Sequence, residues 1–396
     1  MNGRRKVLLA SLATAGLSAT STPSIAQRGT VRLERYDRFV QWIRKTTPPQ
    51  AGGMVHYMSP PVGKQQTLST VASAYVLLLH LRMGNIDAAR LIGDALVNWH
   101  RESLGNTAAP VRGGLPSEFN LKSGRWTLGD YYYANDNLLA IAALTELHAV
   151  TKVDRYALSA VLIGRWMERS LFDGKRLGLW AKNYGPAMQF IRTDGAANNA
   201  IHTGMDFLWL SALAGLHRLD PERGWIQRQA EGTAFYAQAM APEGCWYDHF
   251  KPHKPDHPAG SWHWYRDSYV TIGDNTIRSA MAATHFGFTE QVRKFSQWLK
   301  PPGGTWLWGY VDPASGGPRY LEKDIPYFDV VCTGLLKAWY RKTGKSQLAN
   351  RCEDLIAKLQ APNGGWYWGL REKGMKPLNN EQATIVGCWA LADIHP

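Results

Sequence analysis

The chain of 396 residues carries 45 Lys+Arg against 32 Asp+Glu, a formal charge of +13, and 17 each of Trp and Tyr. With 45% apolar and 19% charged residues it can bury a large core, which excludes an intrinsically disordered protein. Four cysteines at 245, 332, 352 and 388, none in a C-x-x-C pair, exclude a disulfide scaffold and argue against a structural zinc site.

Residues 1–26 read as an export signal: a basic start (Arg4, Arg5, Lys6), an apolar run from Val7 to Leu17, and small residues ending at Ser24-Ile25-Ala26. Arg4-Arg5-Lys6-Val7-Leu8-Leu9 resembles a twin-arginine signal. An apolar run this short does not span a bilayer. The expected location is therefore periplasmic or secreted. Loss of these three basic residues, with no acidic one, takes +13 to +10. The surplus favours anionic partners, but no run of five basic residues points to nucleic acid.

From residue 27 to 396 helical periodicity recurs and period-2 alternation is confined to short stretches. The pattern predicts helices near 33–47, 66–82, 85–101, 134–151, 154–171, 198–218, 221–240, 275–286, 289–300, 328–343, 346–359 and 381–394. One kind is apolar nearly all round, such as Ala72 to Leu79, Leu138 to Leu144 and Phe207 to Ala214; the other, as from Arg155 to Arg169, has one charged face. A helix that is apolar all round must be surrounded. Alternation of the two kinds predicts an all-α, single-domain (α/α)6 toroid: six helical hairpins in two concentric layers, the first helix pairing with the last. Short links join inner to outer helices, and the long links back gather at one mouth, where functional loops are expected.

Three of those links carry Gly-x-Trp elements: Gly244-Cys245-Trp246, Gly304-Thr305-Trp306 and Gly364-Gly365-Trp366. With Trp264, the residues Trp246, Trp306 and Trp366 are candidate stacking platforms for sugar rings. Alternatively, each Trp pins its loop over a helix end. Acidic and amide residues recur where inner helices begin: Asn135-Asp136-Asn137, Asp194 and Asn198-Asn199, Asp274-Asn275, Asp329, and Asn379-Asn380-Glu381. Any one of them serves as an N-cap. Together they direct several carboxylates to one cavity, and glycosidic hydrolysis needs one protonated and one ionised carboxyl.

This layout resembles the six-hairpin glycosidase superfamily and the toroidal polysaccharide lyases. Asn135-Asp136-Asn137-Leu138-Leu139 is similar to the Asp-bearing inner-helix start of unsaturated uronyl hydrolases, and Asp274-Asn275 is similar to a second such start. The resemblance implies hydrolysis of glycosidic bonds in a uronate-containing polysaccharide or oligosaccharide, with Asp136 and Asp274 as the carboxylates and Asp194, Asp329 or Glu381 in reserve. Arg192, Arg266 and His202 would bind substrate carboxylates, with Asn137 and Glu381 as further polar contacts. Asn198-Asn199-Ala200-Ile201-His202 also resembles a segment of toroidal alginate-type lyases, with Tyr265-Arg266-Asp267-Ser268-Tyr269 supplying Arg and Tyr. On that reading Asn199 and Arg266 neutralise the uronate, and His202 or Tyr269 moves the proton in a β-elimination. A third expectation is a non-catalytic carbohydrate-binding protein of a polysaccharide export system.

Residues 248–263 hold His249, His253, Asp256, His257 and His263, which read either as metal ligands or as a solvated loop; the second is preferred, and no cofactor or metal is expected. The chain has no Gly-x-Ser-x-Gly elbow, P-loop or dinucleotide fingerprint.

Overall fold

The computed structural model describes residues 25–57, 67–122, 125–170, 190–195, 197–198, 201–202, 205–225, 240–241, 243–246, 249–252, 262–264, 271–300, 304–305, 310–311, 327–371, 377 and 382–394. The segment expected to be an export signal (save its last two residues), most of the helix expected at 221–240 and most of the His-containing segment 248–263 lie outside them. Among the described residues no helix is long and apolar enough to cross a membrane.

Among the described residues six helices form an inner set: α2 (Thr70–Arg82), α4 (Ala134–Thr151), α6 (Met205–Leu219), α7 (Gly273–His285), α9 (Val330–Lys342) and α11 (Thr384–Leu391). Five form an outer set: α1 (Ile25–Thr46), α3 (Ile86–Leu104), α5 (Asp154–Ser170), α8 (Thr289–Trp298) and α10 (Ser346–Ala357). The inner helices touch in succession, α2 to α4, α6, α7, α9 and α11, and α11 returns to touch α2. Within hairpins α3 packs on α2, α5 on α4, α8 on α7 and α10 on α9, while α1 packs on α11. The first helix therefore pairs with the last, as the alternation of helix kinds predicts.

Composition explains the layering. In α2 every residue from Ala72 to His80 is buried, and in α4 every residue from Asp136 to Thr145. In α5 only Tyr156, Ser159, Ala160, Ile163, Gly164, Trp166 and Met167 are buried, the single stripe of a helix with one wet face. Lys337 of α9 is 1% exposed, and its ammonium donates to the carbonyls of Trp389 and Ala390 at 3.0 and 3.4 Å. These belong to the last turn of α11, whose carbonyls lack intrahelical partners. Asp393, 3.3 Å away, compensates the buried charge.

Two turns repeat along the outer wall. Ala361 N–H donates to Gly365 O at 2.7 Å and Gly364 N–H to Ala361 O at 2.9 Å; Ala241, Gly244 and Cys245 repeat both bonds at 2.8 and 3.0 Å. Gly364 and Gly244 have φ of 102° and 99°, which L side chains rarely adopt. Each also lies against the backbone of another outer helix: a Cβ on Gly364 would stand 2.3 Å from Arg38 O of α1, and one on Gly244 would stand 3.0 Å from Lys294 O of α8. The Gly364 turn thereby joins the end of the chain to its beginning.

Short strands precede the inner helices: β1 (Thr67–Ser69) leads into α2, β4 (Tyr131–Tyr133) into α4, β7 (Ile201–His202) into α6, β10 (Thr271–Ile272) into α7 and β12 (Tyr327–Asp329) into α9. They pair antiparallel with strands from the long links. β1 pairs with β2 (Glu118–Lys122) and β2 with β3 (Arg125–Leu128). β4 pairs with β5 (Phe190–Arg192), and β5 with β6 (Ala197–Asn198). β7 joins β8 (His249–Pro252) and β9 (Trp262–Trp264); β10 pairs with β11 (Tyr310–Val311), and β12 with β13 (Gly369–Arg371). Helical periodicity places a helix start at 198, but the chain is extended through Ala197–Asn198 and Ile201–His202 and α6 begins at Met205.

Candidate active site

The first turns of the inner helices carry the acidic side chains. Asp136 sits in the first turn of α4, is 5% exposed, and has its pKa raised to about 7. Burial is the main cause, because desolvation disfavours the anion. The negative charge of Glu118 on β2 adds to the rise, and a hydrogen bond from Ser117 opposes it. The Ser117 hydroxyl oxygen accepts from Tyr133 N–H at 3.2 Å, so its hydrogen is directed to Asp136.

Asn137 holds this arrangement together. It is fully buried; its Nδ2 donates to Leu115 O and Tyr133 O, both at 2.9 Å, and its Oδ1 accepts from Leu115 N–H at 2.8 Å. The expectation that Asn137 contacts sugar is thus corrected: its amide is spent fastening the 115–117 segment to the start of α4, which brings Ser117 and Glu118 beside Asp136.

Asp274 opens α7, with its side chain 28% exposed and an oxygen 3.6 Å from Arg278 Nε one turn deeper. Arg278 is 7% exposed; its Nη1 donates to the Tyr75 hydroxyl at 2.9 Å and its guanidinium lies 5.6 Å from the centre of the Trp389 ring. Asp329 caps α9, accepting from Cys332 N–H at 2.8 Å. It is 4% exposed, and burial first, with Asp274 adding, raises its pKa to about 7.

These groups converge on Tyr57. Tyr57 is half-buried. Its pKa lies well above the usual 10, through burial first and then the charges of Asp274, Asp329, Tyr75 and Asp136. Negative charge at the starts of α4, α7 and α9 therefore bears on one phenol, which stays protonated as a donor. Tyr57 is stapled in place: its carbonyl accepts from Thr384 N–H at 2.9 Å, and its ring lies 5.8 Å from that of Trp368.

The remaining sequence candidates divide. Trp246 and Trp366 are each 1% exposed, which corrects their expected role as sugar platforms. The Trp366 indole donates to Ile356 O at 3.1 Å and meets Phe39 edge-on at 5.6 Å, while Trp246 packs on Phe295 at 5.9 Å. These rings pin loops to helices. Asp194 does not open an inner helix; it lies on the turn after β5, 53% exposed, paired with Arg192 at 3.0 Å. His202 and Trp264 lie on β7 and β9 of one sheet, with side chains outside the described residues. Asn199, Arg266, Tyr269, Trp306 and Glu381 also fall outside them. Among the described residues no cluster of three His, Cys, Asp or Glu is placed to hold a metal. Sequence reasoning missed Tyr57, Ser117, Glu118 and Arg278, none of which belongs to a motif.

No family model matches the chain, and no curated protein matches it. Solved structures do. A cellobiose 2-epimerase from Bacillus thermoamylovorans superposes with a TM-score of 0.68 at 14% identity, covering 92% of this chain and 98% of that one. A D-mannose isomerase gives 0.65 at 11% identity, covering 94% and 98%. A structure described as a novel alpha-amylase from Clostridium perfringens gives 0.63 at 11% identity, covering 91% and 96%. At these identities the likeness is one of fold.

Proposed function

We propose that the protein is an exported carbohydrate-active enzyme, an (α/α)6 toroid that hydrolyses glycosidic bonds in an acidic polysaccharide or oligosaccharide. The observation that carries this reading is Asp136: a carboxyl raised to about 7 in the first turn of an inner helix, whose charge bears on the same phenol as do those of Asp274 and Asp329. Hydrolysis needs a carboxyl that still holds its proton near neutrality and a second one that is ionised. Asp136 donates its proton to the glycosidic oxygen as the bond to the anomeric carbon breaks. Asp274, beside Arg278, takes a proton from the water that attacks that carbon. Tyr57 donates a hydrogen bond to a sugar oxygen between them. The structural neighbours are named for reactions on sugars, which supports a sugar substrate. The charge of +10 left after loss of residues 1–26 favours an anionic one.

The test uses the mature protein with uronate-containing polymers and with unsaturated uronyl oligosaccharides. New reducing ends, or loss of absorbance near 235 nm from unsaturated oligosaccharides, with both abolished in Asp136→Asn, is the expected result. A gain of absorbance near 235 nm would establish elimination through the Asn199, His202, Arg266 and Tyr269 set and overturn hydrolysis. Sugar binding with neither signal would leave a carbohydrate-binding protein.

A further inference from the structure

Trp246 and Trp366 are buried, and β4 carries an exposed aromatic face instead. Strand alternation sends Tyr132 inward, where it is fully buried against Trp166 at 6.1 Å, and puts Tyr131 and Tyr133 together on the opposite face. Their rings are 6.1 Å apart and inclined by only 21°. Tyr131 is 41% exposed. Directly across the ladder from Tyr131 stands Arg192 of β5, its guanidinium 5.1 Å from the Tyr131 ring centre. At the other end, Asp136 follows Tyr133 by three residues, and the charges of Asp136 and Tyr131 both act on the Tyr133 phenol. Tyr133, Tyr131 and Arg192 are thus neighbours in space, and the buried Asp136 follows Tyr133 by three residues.

We propose that Tyr133, Tyr131 and Arg192 form a binding ramp for an anionic sugar chain, the exposed side of the stacked tyrosine pair packing against sugar C–H faces and Arg192 taking a carboxylate at the outer end. The inference rests on the sugar-cleaving reading and names where its substrate lies. Aromatic faces suit the C–H faces of pyranoses, and Arg forms bidentate pairs with carboxylates. Arg192 currently pairs with Asp194, but both side chains are well exposed, at 38% and 53%. Such surface pairs contribute little, so a substrate carboxylate can displace Asp194 at small cost. Aromatic rings beside Arg also suit single-stranded nucleic acid, but the exposed carboxylate of Asp194 and that of Glu118 beside the ramp oppose a phosphate backbone.

The test is affinity electrophoresis of the full mature chain through gels containing polygalacturonate, alginate, hyaluronate or neutral hydroxyethyl cellulose, with an oligothymidylate shift assay beside them. It is run in the Asp136→Asn background so that no polymer is consumed. At least one uronate polymer is expected to retard the protein, the neutral polymer not. Tyr131→Ala and Arg192→Gln each weaken that retardation about five- to tenfold, while Tyr131→Phe restores it and thermal unfolding stays unchanged. Absence of retardation by all three uronate polymers, equal retardation of Tyr131→Ala, or preference for oligothymidylate would overturn the ramp. The cleavage assay fails independently: retention of activity by Asp136→Asn with ramp binding intact would sink the catalytic reading alone.

Discussion

The Ser117 hydroxyl hydrogen-bonds the Asp136 carboxyl while Glu118, the next residue in the chain, presses negative charge on it. Two consecutive residues therefore act on one proton with opposite sign, as donation to the anion favours it and a like charge disfavours it. Ser117→Ala should raise the Asp136 pKa and Glu118→Gln should lower it. If protonated Asp136 is the active form, the loss of kcat/KM on the alkaline side moves to higher pH in the first variant and to lower pH in the second. Rate profiles between pH 5 and 9 read this directly; limbs moving together would disprove the assignment.

Asp329 predicts a stability effect. Its pKa is about 7 in the folded chain against 3.8 for an ordinary Asp. The folded state therefore binds the proton more tightly. The resulting stabilisation is complete below about pH 4 and is lost as pH rises through about 7, on the order of 4 kcal/mol at most. Asparagine keeps the cap on Cys332 N–H without titrating. Asp329→Asn should accordingly melt at a higher temperature than the parent at pH 8, and at nearly the same temperature at pH 4.5. Scanning calorimetry at the two pH values checks it; a lower melting temperature at pH 8 would show the carboxylate to be favourable there.

Trp366 separates pinning from sugar contact. Truncating a fully buried Trp costs about 3–5 kcal/mol. Trp366→Ala should lose about that much in denaturant unfolding, whereas Trp366→Phe should keep part of it by filling the space against Phe39. Sugar affinity of the folded Trp366→Phe protein should stay within about twofold of the parent. A larger loss of affinity with unchanged stability would restore Trp366 to the binding surface.

Much of the fold is legible in the sequence because burial all round and burial on one face leave different patterns. The predicted helix at 134–151 matches α4 residue for residue, and α5 and α10 differ from expectation only at their C-terminal ends. The strands are not legible, since segments such as Thr271–Ile272 are too short to carry a period. At Ala197–His202 the ladder partners override a helix-compatible run. The Gly-x-Trp repeat is visible, but the burial of its rings is not, because Trp366 packs on Phe39 and Trp246 on Phe295, partners distant in sequence. Asp136 and Asp274 stand out as carboxylates at helix starts. Glu118 and Tyr57 do not, because their approach to those carboxylates is made by the β1–β2 pairing, the Asn137 clamp and the Thr384 bond, all between residues distant in sequence.

Whether Asp136 holds its proton near neutrality can be measured without knowing the substrate. In protein labelled with 13C at the aspartate side-chain carboxyls, the resonance absent from Asp136→Asn identifies the group. Its titration followed by NMR should have a midpoint near 7. A midpoint in the ordinary Asp range near 4 would rule out Asp136 as the proton donor, because it would then be ionised at neutral pH and have no proton to give.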